Sequence, residues 1–304
     1  MRAKSFLFFF LICFLGFQCT TPQNGFTDKR KARNQIKDAQ LTGKWLMFLD
    51  ADKKPTGDTN APYYRLIIYL AGKPFGMVRD FYKDGKLEGE SPYQNGQENG
   101  IQKNYYEDKR LKQEALFVNG KLNGMFKEYY ESGQVQFETT YMDDKENGPA
   151  KLYYENGQVQ GEAAYVEGKI NGTKKVYYEN GKLQGEATYK DSILNGMQTI
   201  YYENGKVQEE IPFKNGEKEG NVNVYYETGA MHITAPYTDD KLNGVEKKYY
   251  PNGELQQEVS YLNDKEDGVA RLYYESGKVK TEGTFSDGHL VGSMKSYDEQ
   301  GNLK

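Results

Sequence analysis

The sequence repeats every 24 residues, without insertion or deletion, from Phe81 to Lys304. Aromatic pairs such as Tyr153-Tyr154 mark the repeat, and glycines such as Gly124 and Gly148 recur at the same spacing. A constant period implies that each unit contacts its neighbours in one geometry, as in solenoids and other repeat arrays. The chain therefore contains nine full repeats and a truncated tenth copy.

Each repeat has the pattern of two β-strands and two turns. Tyr153-Tyr154 ends one strand, Asn156-Gly157 follows it, and the next strand runs to Tyr165. Asn-Gly between strand-like segments is the strongest short-range signal of a two-residue hairpin. A longer glycine-containing loop, residues 166–172, returns the chain to the next unit. We predict an all-β fold, an elongated single-layer antiparallel β-meander built from 24-residue two-stranded tandem repeats.

A two-residue loop predicts the register of each hairpin. It places Tyr154 opposite Val159 and Lys151 opposite Glu162. The same offset sets a cation against a carboxylate in seven of the nine repeats. The other six such pairs are Arg79–Glu90, Lys103–Glu114, Lys127–Glu138, Lys175–Glu186, Lys247–Glu258 and Arg271–Glu282, and the exceptions are Thr199–Glu210 and Asn223–Thr234.

This register gives the predicted sheet two different faces. One face is apolar and carries residues such as Ala150, Leu152, Ala163, Tyr165 and Leu272. The opposite face carries the Lys–Glu pairs together with the first tyrosine of each aromatic pair, and we interpret it as solvated or partner-binding. The candidate partner surface consists of Tyr105, Tyr129, Tyr153, Tyr177, Tyr201, Tyr225, Tyr249 and Tyr273.

The N-terminus has the pattern of an export signal. Arg2 and Lys4 precede an apolar run of 12 residues, 6–17, which is shorter than the roughly 20 residues needed to span a bilayer. We interpret residues 1–18 as a signal peptide. The run Leu15-Gly16-Phe17-Gln18-Cys19 resembles a bacterial lipoprotein signal-peptidase box, which implies a lipid on Cys19. The alternative is a soluble exported protein in which Cys19 is incidental.

Three further segments complete the predicted domain organisation. Residues 19–40 are polar and are predicted to be a lipid-anchored flexible tether. Residues 41–80 are predicted to be N-terminal cap strands with a degenerate repeat, in which Tyr63–Leu70 pairs with Thr42–Leu49. Residues 81–304 are the repeats. We expect an exported protein that is lipid-anchored to the bacterial cell envelope, at the outer membrane.

The composition argues against catalysis. The chain has 2 His and 2 Cys, so the side chains that most often carry acid–base, thiol or metal chemistry are scarce. We predict no enzyme activity, no catalytic or metal-binding residue and no cofactor. With 40 basic against 44 acidic residues, the chain lacks the basic footprint of a nucleic-acid binder. Rows of tyrosine interleaved with lysine leave binding to glycans open.

The repeat resembles a known family. Residues 177–189, YYENGKLQGEATY, and residues 168–172, GKING, are similar to the MORN-repeat variant family, whose bacterial members are often toxin–antitoxin antitoxins of the YwqK type. The resemblance covers residues 63–304 and implies a repeat fold rather than any activity. We expect a non-enzymatic scaffold that binds a protein partner and reaches the membrane through its lipid anchor. The alternatives are an antitoxin-like immunity protein that neutralises a toxin, and a glycan or peptidoglycan binder.

Overall fold

The computed structural model describes residues 25–304. The predicted signal peptide, Cys19 and the first residues of the predicted tether lie outside the described residues. Within residues 25–304, helical structure is limited to one 3-10 turn, Lys29–Lys31. No helix in that range is long and apolar enough to cross a bilayer.

The remaining regular structure is β-strand. The strands are β1 Gln35–Lys37, β2 Gln40–Leu49, β3 Pro55–Thr56, β4 Tyr63–Leu70, β5 Lys73–Tyr82, β6 Leu87–Gln94, β7 Gln97–Glu98, β8 Gly100–Tyr105, β9 Leu111–Val118, β10 Lys121–Tyr129, β11 Val135–Met142, β12 Lys145–Glu146, β13 Gly148–Tyr153, β14 Val159–Val166, β15 Lys169–Ile170, β16 Gly172–Tyr177, β17 Leu183–Lys190, β18 Ile193–Tyr201, β19 Val207–Lys214, β20 Glu217–Lys218, β21 Gly220–Tyr225, β22 Met231–Thr238, β23 Lys241–Leu242, β24 Gly244–Tyr249, β25 Leu255–Leu262, β26 Lys265–Tyr273, β27 Val279–Ser286 and β28 His289–Ser296.

The strands pair antiparallel with strands close to them in sequence, as in a meander. The predicted all-β class and antiparallel meander are therefore confirmed. The chain divides into two compact units. The first extends to Gln102 and includes Val118–Gly120, and the second comprises Lys103–Phe117 and Lys121–Lys304.

The first unit contains the predicted cap and a small core. Strands β2 and β4 pair from Gly43–Tyr69 to Leu49–Tyr63, so the predicted pairing of these two segments is confirmed. Leu66 is fully buried and packs in one cluster with Phe26, Tyr64 and Phe81. These side chains stabilise the cap because their apolar surface is removed from water.

The described part of the predicted tether is folded. Phe26 is buried in the core cluster of the first unit, and Asp28 caps the 3-10 turn by accepting a hydrogen bond from the Arg30 amide. Strand β1 then pairs with β2. The prediction of an unfolded tether is therefore wrong for residues 25–40. The segment is mostly polar, but one apolar residue, Phe26, attaches it to the core.

The hairpin register of the repeats agrees with the sequence. Lys151 lies opposite Glu162, and Thr199 and Asn223 lie opposite Glu210 and Thr234. The same offset is present for Arg79–Glu90, Lys127–Glu138, Lys175–Glu186, Lys247–Glu258 and Arg271–Glu282. The predicted pairing of cations with carboxylates across each of these hairpins is confirmed.

The turn that produces this register differs from the prediction. The Gly157 amide donates to the Tyr154 carbonyl, and the Tyr154 amide donates to the Gln158 carbonyl. Gly157 has φ +85°, so the loop has three residues, a type I turn followed by a left-handed glycine. Tyr153, rather than Tyr154, lies opposite Val159. The predicted two-residue loop at Asn156-Gly157 is therefore wrong.

A β-bulge restores the predicted register two residues later. After the Tyr153–Val159 pair, the ladder continues with Leu152 opposite Gly161, so Gln160 is the extra residue. One extra loop residue and one bulge residue compensate each other. For this reason Lys151 reaches Glu162 although the turn is not the one predicted.

The two-residue turn occurs at the opposite end of the strands. Val166 pairs with Lys169, and the two loop residues, Glu167 and Gly168, have φ of 50° and 80°. Positive φ at both central residues is the signature of a type I′ turn. The segment predicted to be a longer return loop is therefore a tight hairpin. It is followed by a bulge where the Asn171 amide donates to the Ala164 carbonyl.

Candidate protein-binding face

One face of the second unit carries a row of alternating charges, here called the charge ladder. Glu138 lies opposite Lys127 within its own hairpin and opposite Lys151 of the next repeat. The same double pairing recurs where Glu162 meets Lys175. Sequence analysis predicted only the partner within the hairpin. The second partner depends on the register between repeats, which the tight turn at residues 167–168 sets.

Several members of the charge ladder form direct ion pairs. Lys127 Nζ lies 3.2 Å from Glu138 Oε2. Arg271 bridges two carboxylates, with Nε 2.7 Å from Glu282 Oε2 and Nη1 3.0 Å from Glu258 Oε1. In the first unit, Arg79 Nε lies 3.1 Å from Glu90 Oε2. These side chains are partly exposed, so each pair contributes at most about 1 kcal/mol.

The first tyrosine of each aromatic pair is part of the same network. The Tyr153 hydroxyl donates to Glu138 Oε1 of the preceding repeat at 2.7 Å, and its ring is half-buried. Equivalent bonds of 2.6–3.0 Å are Tyr129–Glu114, Tyr177–Glu162, Tyr201–Glu186, Tyr225–Glu210 and Tyr273–Glu258. The predicted partner tyrosines of these repeats thus lie in one column with their hydroxyls already bonded.

These contacts change the ionisation of both partners. The hydrogen bond from Tyr153, followed by the charge of Lys127, holds the pKa of Glu138 below its usual value. Burial and the bond to Glu138 raise the pKa of Tyr153 to about 12. Glu258 and Tyr273 show the same opposed shifts, with the pKa of Tyr273 raised to about 12 by burial and by Glu258. Glu138 and Glu258 are therefore charged, and Tyr153 and Tyr273 are neutral, near neutral pH.

The second tyrosine of each pair ties neighbouring repeats together. The Tyr154 hydroxyl donates to the Tyr177 carbonyl of the next repeat at 2.8 Å. Equivalent bonds are Tyr130–Tyr153, Tyr178–Tyr201, Tyr202–Tyr225, Tyr226–Tyr249, Tyr250–Tyr273 and Tyr274–Tyr297. This role was not predicted from the sequence, although the recurrence of a second tyrosine in every repeat indicates that the residue has a structural role.

Exposed apolar side chains lie beside the charge ladder. Along β10 the order is Met125, Lys127 and Tyr129, and successive alternate residues of a strand share one face. Met197 and Val245 occupy the equivalent position in β18 and β24, and all three of these apolar side chains are exposed. We call the surface formed by these apolar residues, the charge ladder and the first tyrosines the ladder face.

The charge ladder is interrupted over two neighbouring repeats. Glu210 lies opposite Thr199 on one side and Asn223 on the other, so no cation opposes it. It accepts a hydrogen bond from the Tyr225 hydroxyl at 2.8 Å. Farther along, the Thr234 hydroxyl bonds Asn223 Oδ1 at 2.9 Å in place of an ion pair. The ladder face therefore contains a window without cations, here called the cation-free window, between two stretches of paired charges.

The opposite face is less apolar than predicted. Ala150, Ala187 and Val259 are buried in its central row, but Lys174 lies opposite Ala187 and Glu246 lies opposite Val259 on the same face. Burial raises the pKa of Glu246 above its usual value, opposed by the nearby Lys248 charge. Leu152 and Leu272, predicted on this face, are exposed. The face predicted to be apolar therefore also carries charged side chains.

In residues 25–304 no group of three or more His, Cys, Asp or Glu side chains is arranged to hold a metal ion. His232 stacks on Tyr226 with ring centroids 4.2 Å apart. Burial and the charge of Lys248 lower the pKa of His232, so the imidazole is a neutral packing group at neutral pH.

Comparison with known families identifies the repeat. The MORN repeat variant profile matches residues 76–95, 98–119, 122–143, 146–167, 170–191, 194–215, 242–263 and 266–287, which together exceed half of the chain. The chain belongs to the MORN repeat variant family. The unmatched stretch between Asn215 and Leu242 contains Asn223 and Thr234, the repeat in which neither member of the pair is charged. No curated protein matches the sequence.

Similarity to solved structures is weak. The chain aligns with part of a structure of TcdB2-TccC3-Cdc42 at 12% identity, covering 86% of this chain and 19% of that chain, with a TM-score of 0.17. It aligns with the Photorhabdus luminescens Tc holotoxin pore at 13% identity, covering 89% and 20%, with a TM-score of 0.15. The chain spans about a fifth of the length of both chains, and TM-scores this low establish no shared fold.

Proposed function

We propose that this MORN repeat variant protein is a non-enzymatic scaffold whose ladder face binds a protein partner. The observation that carries the proposal is the composition of that face, where exposed Met125, Met197 and Val245 lie beside tyrosines and paired charges. Tyrosine, methionine and arginine are enriched in protein interfaces. A partner can bury such a surface without leaving the phenol hydroxyls unpaired, because the glutamates already accept them.

The internal bonds also favour binding by reducing its entropic cost. The rings of Tyr153 and Tyr177 are half-buried and held by hydrogen bonds to Glu138 and Glu162. Side chains that are immobilised before association lose less conformational freedom on binding. The cation-free window around Glu210 is the part of the face that differs most between repeats, and we propose that it determines which partner binds.

A crosslinking experiment tests this proposal. A photoreactive amino acid placed at Met197 or Val245 on the ladder face should capture a discrete protein in intact cells. The matched control places the same probe at Leu272, which is exposed on the opposite face. Capture from both faces alike, or from neither, would contradict a protein-binding ladder face.

Two alternative functions predict different experimental results. A glycan or peptidoglycan binder should be retained by polysaccharide in a pull-down, and retention should fall when Tyr153 and Tyr177 are replaced. An antitoxin-like immunity protein should instead rescue growth when co-expressed with a toxin encoded by a neighbouring gene. Either result without crosslinking to a resident protein would replace the scaffold proposal.

The proposal includes lipid attachment at Cys19 after export, at the outer membrane of a bacterial envelope. It is supported by the short apolar run that ends two residues before Cys19. Growth with a palmitate analogue should label the wild-type chain but not the Cys19→Ala variant. Label on both chains, or on neither, would leave a soluble exported protein as the better description.

A further inference from the structure

The first unit carries a basic segment in an otherwise acidic chain. Residues 25–44 contain six Lys or Arg and two Asp, whereas the whole chain has a net charge of −4. Lys29, Lys31, Arg33, Lys37 and Lys44 are exposed, and the Arg30 side chain is 86% exposed. One of the two carboxylates, Asp28, is bonded to Arg30 at 2.9 Å. The segment therefore presents a local excess of positive charge.

Backbone hydrogen bonds gather these cations at one hairpin. Strands β1 and β2 are joined by a two-residue turn, Asp38-Ala39, in which both residues have positive φ. The Arg33 amide donates to the Lys44 carbonyl at 2.9 Å, which brings Arg33 beside Lys44. Lys37 lies opposite Gln40 next to the turn. We call residues 29–44 the basic hairpin.

Exposed aliphatic side chains lie at the same place. Ile36, next to Lys37 in β1, is 66% exposed, and Leu70 is 61% exposed. The Gly72 amide donates to the Leu41 carbonyl at 3.0 Å, so the turn after Leu70 lies against the basic hairpin. Exposed aliphatic residues surrounded by Lys and Arg are typical of surfaces that rest on a bilayer, where the headgroups attract the cations and the acyl boundary accepts the aliphatic chains.

The distance to Cys19 is short enough for this contact. Phe26 is 6% exposed in the core cluster of the first unit, and Lys44 Nζ lies 5.5 Å from the centroid of its ring. Phe26 lies seven positions after Cys19, and a fully extended chain over those seven steps spans at most about 25 Å. A lipid on Cys19 would therefore hold the basic hairpin close to the bilayer surface.

We propose that the basic hairpin binds an anionic lipid bilayer directly, with the edge strand β1 towards the membrane, so that Lys31, Arg33 and Lys37 reach the headgroups while Ile36, on the opposite side of the strand from Lys37, reaches the acyl boundary. This inference deepens the proposed envelope attachment and rests on it only for the argument from distance. The hairpin contact itself requires no lipid on the protein. It would orient the first unit on the membrane, which an anchor on a free chain does not do.

The test uses residues 19–304 with Cys19→Ala, so that neither the apolar export signal nor an acyl chain contributes. We expect this protein to sediment with vesicles of phosphatidylglycerol and phosphatidylcholine, and not with vesicles of phosphatidylcholine alone. Replacing Lys31, Arg33 and Lys37 by Gln should weaken vesicle affinity by about 100-fold, since each basic residue near an anionic surface contributes about fivefold. The Ile36→Ser variant should also bind more weakly.

The matched control removes three exposed cations from the second unit, Lys174, Lys190 and Lys214, also by substitution with Gln. It should retain vesicle affinity. Equal loss in both triple variants, equal binding to uncharged vesicles, or no vesicle binding at all would overturn the proposal. Because Cys19 is absent from every protein tested, these failures are distinct from a failure of the acylation or crosslinking experiments.

Discussion

At the scale of single residues, each glutamate of the charge ladder has neighbours in the next repeat as well as in its own hairpin. Glu138 contacts Lys127 across the hairpin, faces Lys151 of the next repeat and accepts the Tyr153 hydroxyl. A substitution in the ladder therefore changes two pairings rather than one, because the register between repeats adds a second neighbour to each charge.

Exchanging the charges of one pair should restore only part of the lost stability. Lys151→Glu should destabilise by about 1–2 kcal/mol, because the new carboxylate faces both Glu138 and Glu162. Adding Glu162→Lys repairs the hairpin pair but sets the new lysine against Lys175. Less than half of the loss should be recovered when the free energy of unfolding is measured by denaturant titration.

The matched exchange is Lys247→Glu with Glu258→Lys, because the second neighbour of Lys247 is the neutral Thr234. Only the contact with Arg271 becomes repulsive there, so this exchange should recover a larger share of its loss. Equal recovery at both places would mean that the partner across the hairpin is the only one that counts.

The tyrosine hydroxyls should contribute measurably to stability. Tyr153→Phe removes a 2.7 Å bond to a charged carboxylate and should destabilise by about 1 kcal/mol, since the ring remains. The matched control is Tyr249→Phe, because position 234 holds Thr where other repeats have Glu. That variant should unfold with the wild-type free energy, and a similar loss in both would assign the effect to the ring rather than to the bond.

The pKa shifts predict loss of stability at both ends of the pH scale. Below the ordinary Glu value of 4.5, the unfolded chain takes up protons before Glu138 and Glu258 do in the fold, so stability falls as pH falls. Above the ordinary Tyr value of 10.0, the unfolded chain releases phenol protons first, so stability falls as pH rises toward the folded pKa of about 12 for Tyr153 and Tyr273. Thermal unfolding followed across pH should show both slopes, and a flat profile above pH 10.0 would contradict the buried phenols.

At the scale of strands and turns, a motif recognised in the sequence formed a different structure. Asn156-Gly157 closes a three-residue loop because Asn156 Oδ1 accepts a hydrogen bond from the Gln158 amide at 2.9 Å, which stabilises a turn of the Asx type. Its Nδ2 also donates to the Glu179 carbonyl of the next repeat at 3.3 Å. The Asn156 side chain thus stabilises the three-residue loop, and its hydrogen bond to the next repeat stabilises the same conformation.

One repeat has a residue that is poorly suited to this turn. Lys109 occupies the position held by glycine in the other repeats and has φ 73°, a conformation that costs an L-residue roughly 1–2 kcal/mol. Lys109→Gly should stabilise by about 0.5–1 kcal/mol, because the greater flexibility of glycine in the unfolded chain offsets part of the gain. The free energy of unfolding measures this change.

The reverse substitution serves as its control. Gly253→Lys places the same side chain at φ 90° in another repeat, where a Cβ meets no heavy atom within 4 Å, so the cost comes from the backbone. It should destabilise by a similar amount. If neither variant changes the free energy of unfolding, a left-handed residue at this position is not strained.

At the scale of the whole molecule, the repeats of the second unit should be removable in multiples of one period. Deleting residues 177–200 joins Val176 to Tyr201 in the original phase and places Lys175 opposite Glu210, so the remaining hairpins keep equivalent neighbours. Deleting residues 177–188 removes one strand and its turn, which reverses the chain direction and exchanges the faces. Circular dichroism and thermal unfolding should show a folded protein for the first deletion and loss of strand content or aggregation for the second. Equal tolerance of both would contradict the repeat as the folding unit.

The period, the strand pairs of each repeat and the opposition of Lys151 to Glu162 could be predicted from the sequence, because alternation and charge complementarity are encoded by residues a few positions apart. The family resemblance is also contained in the sequence. The turn that closes each hairpin could not be predicted in this way, since Asn-Gly is compatible with two loop lengths and a bulge at Gln160 makes their registers identical. The structure likewise decided the second partner of each ladder charge, the bond from Tyr154 to the next repeat and the burial of Phe26. These features depend on contacts between repeats or with the cap core, and a local pattern does not specify them.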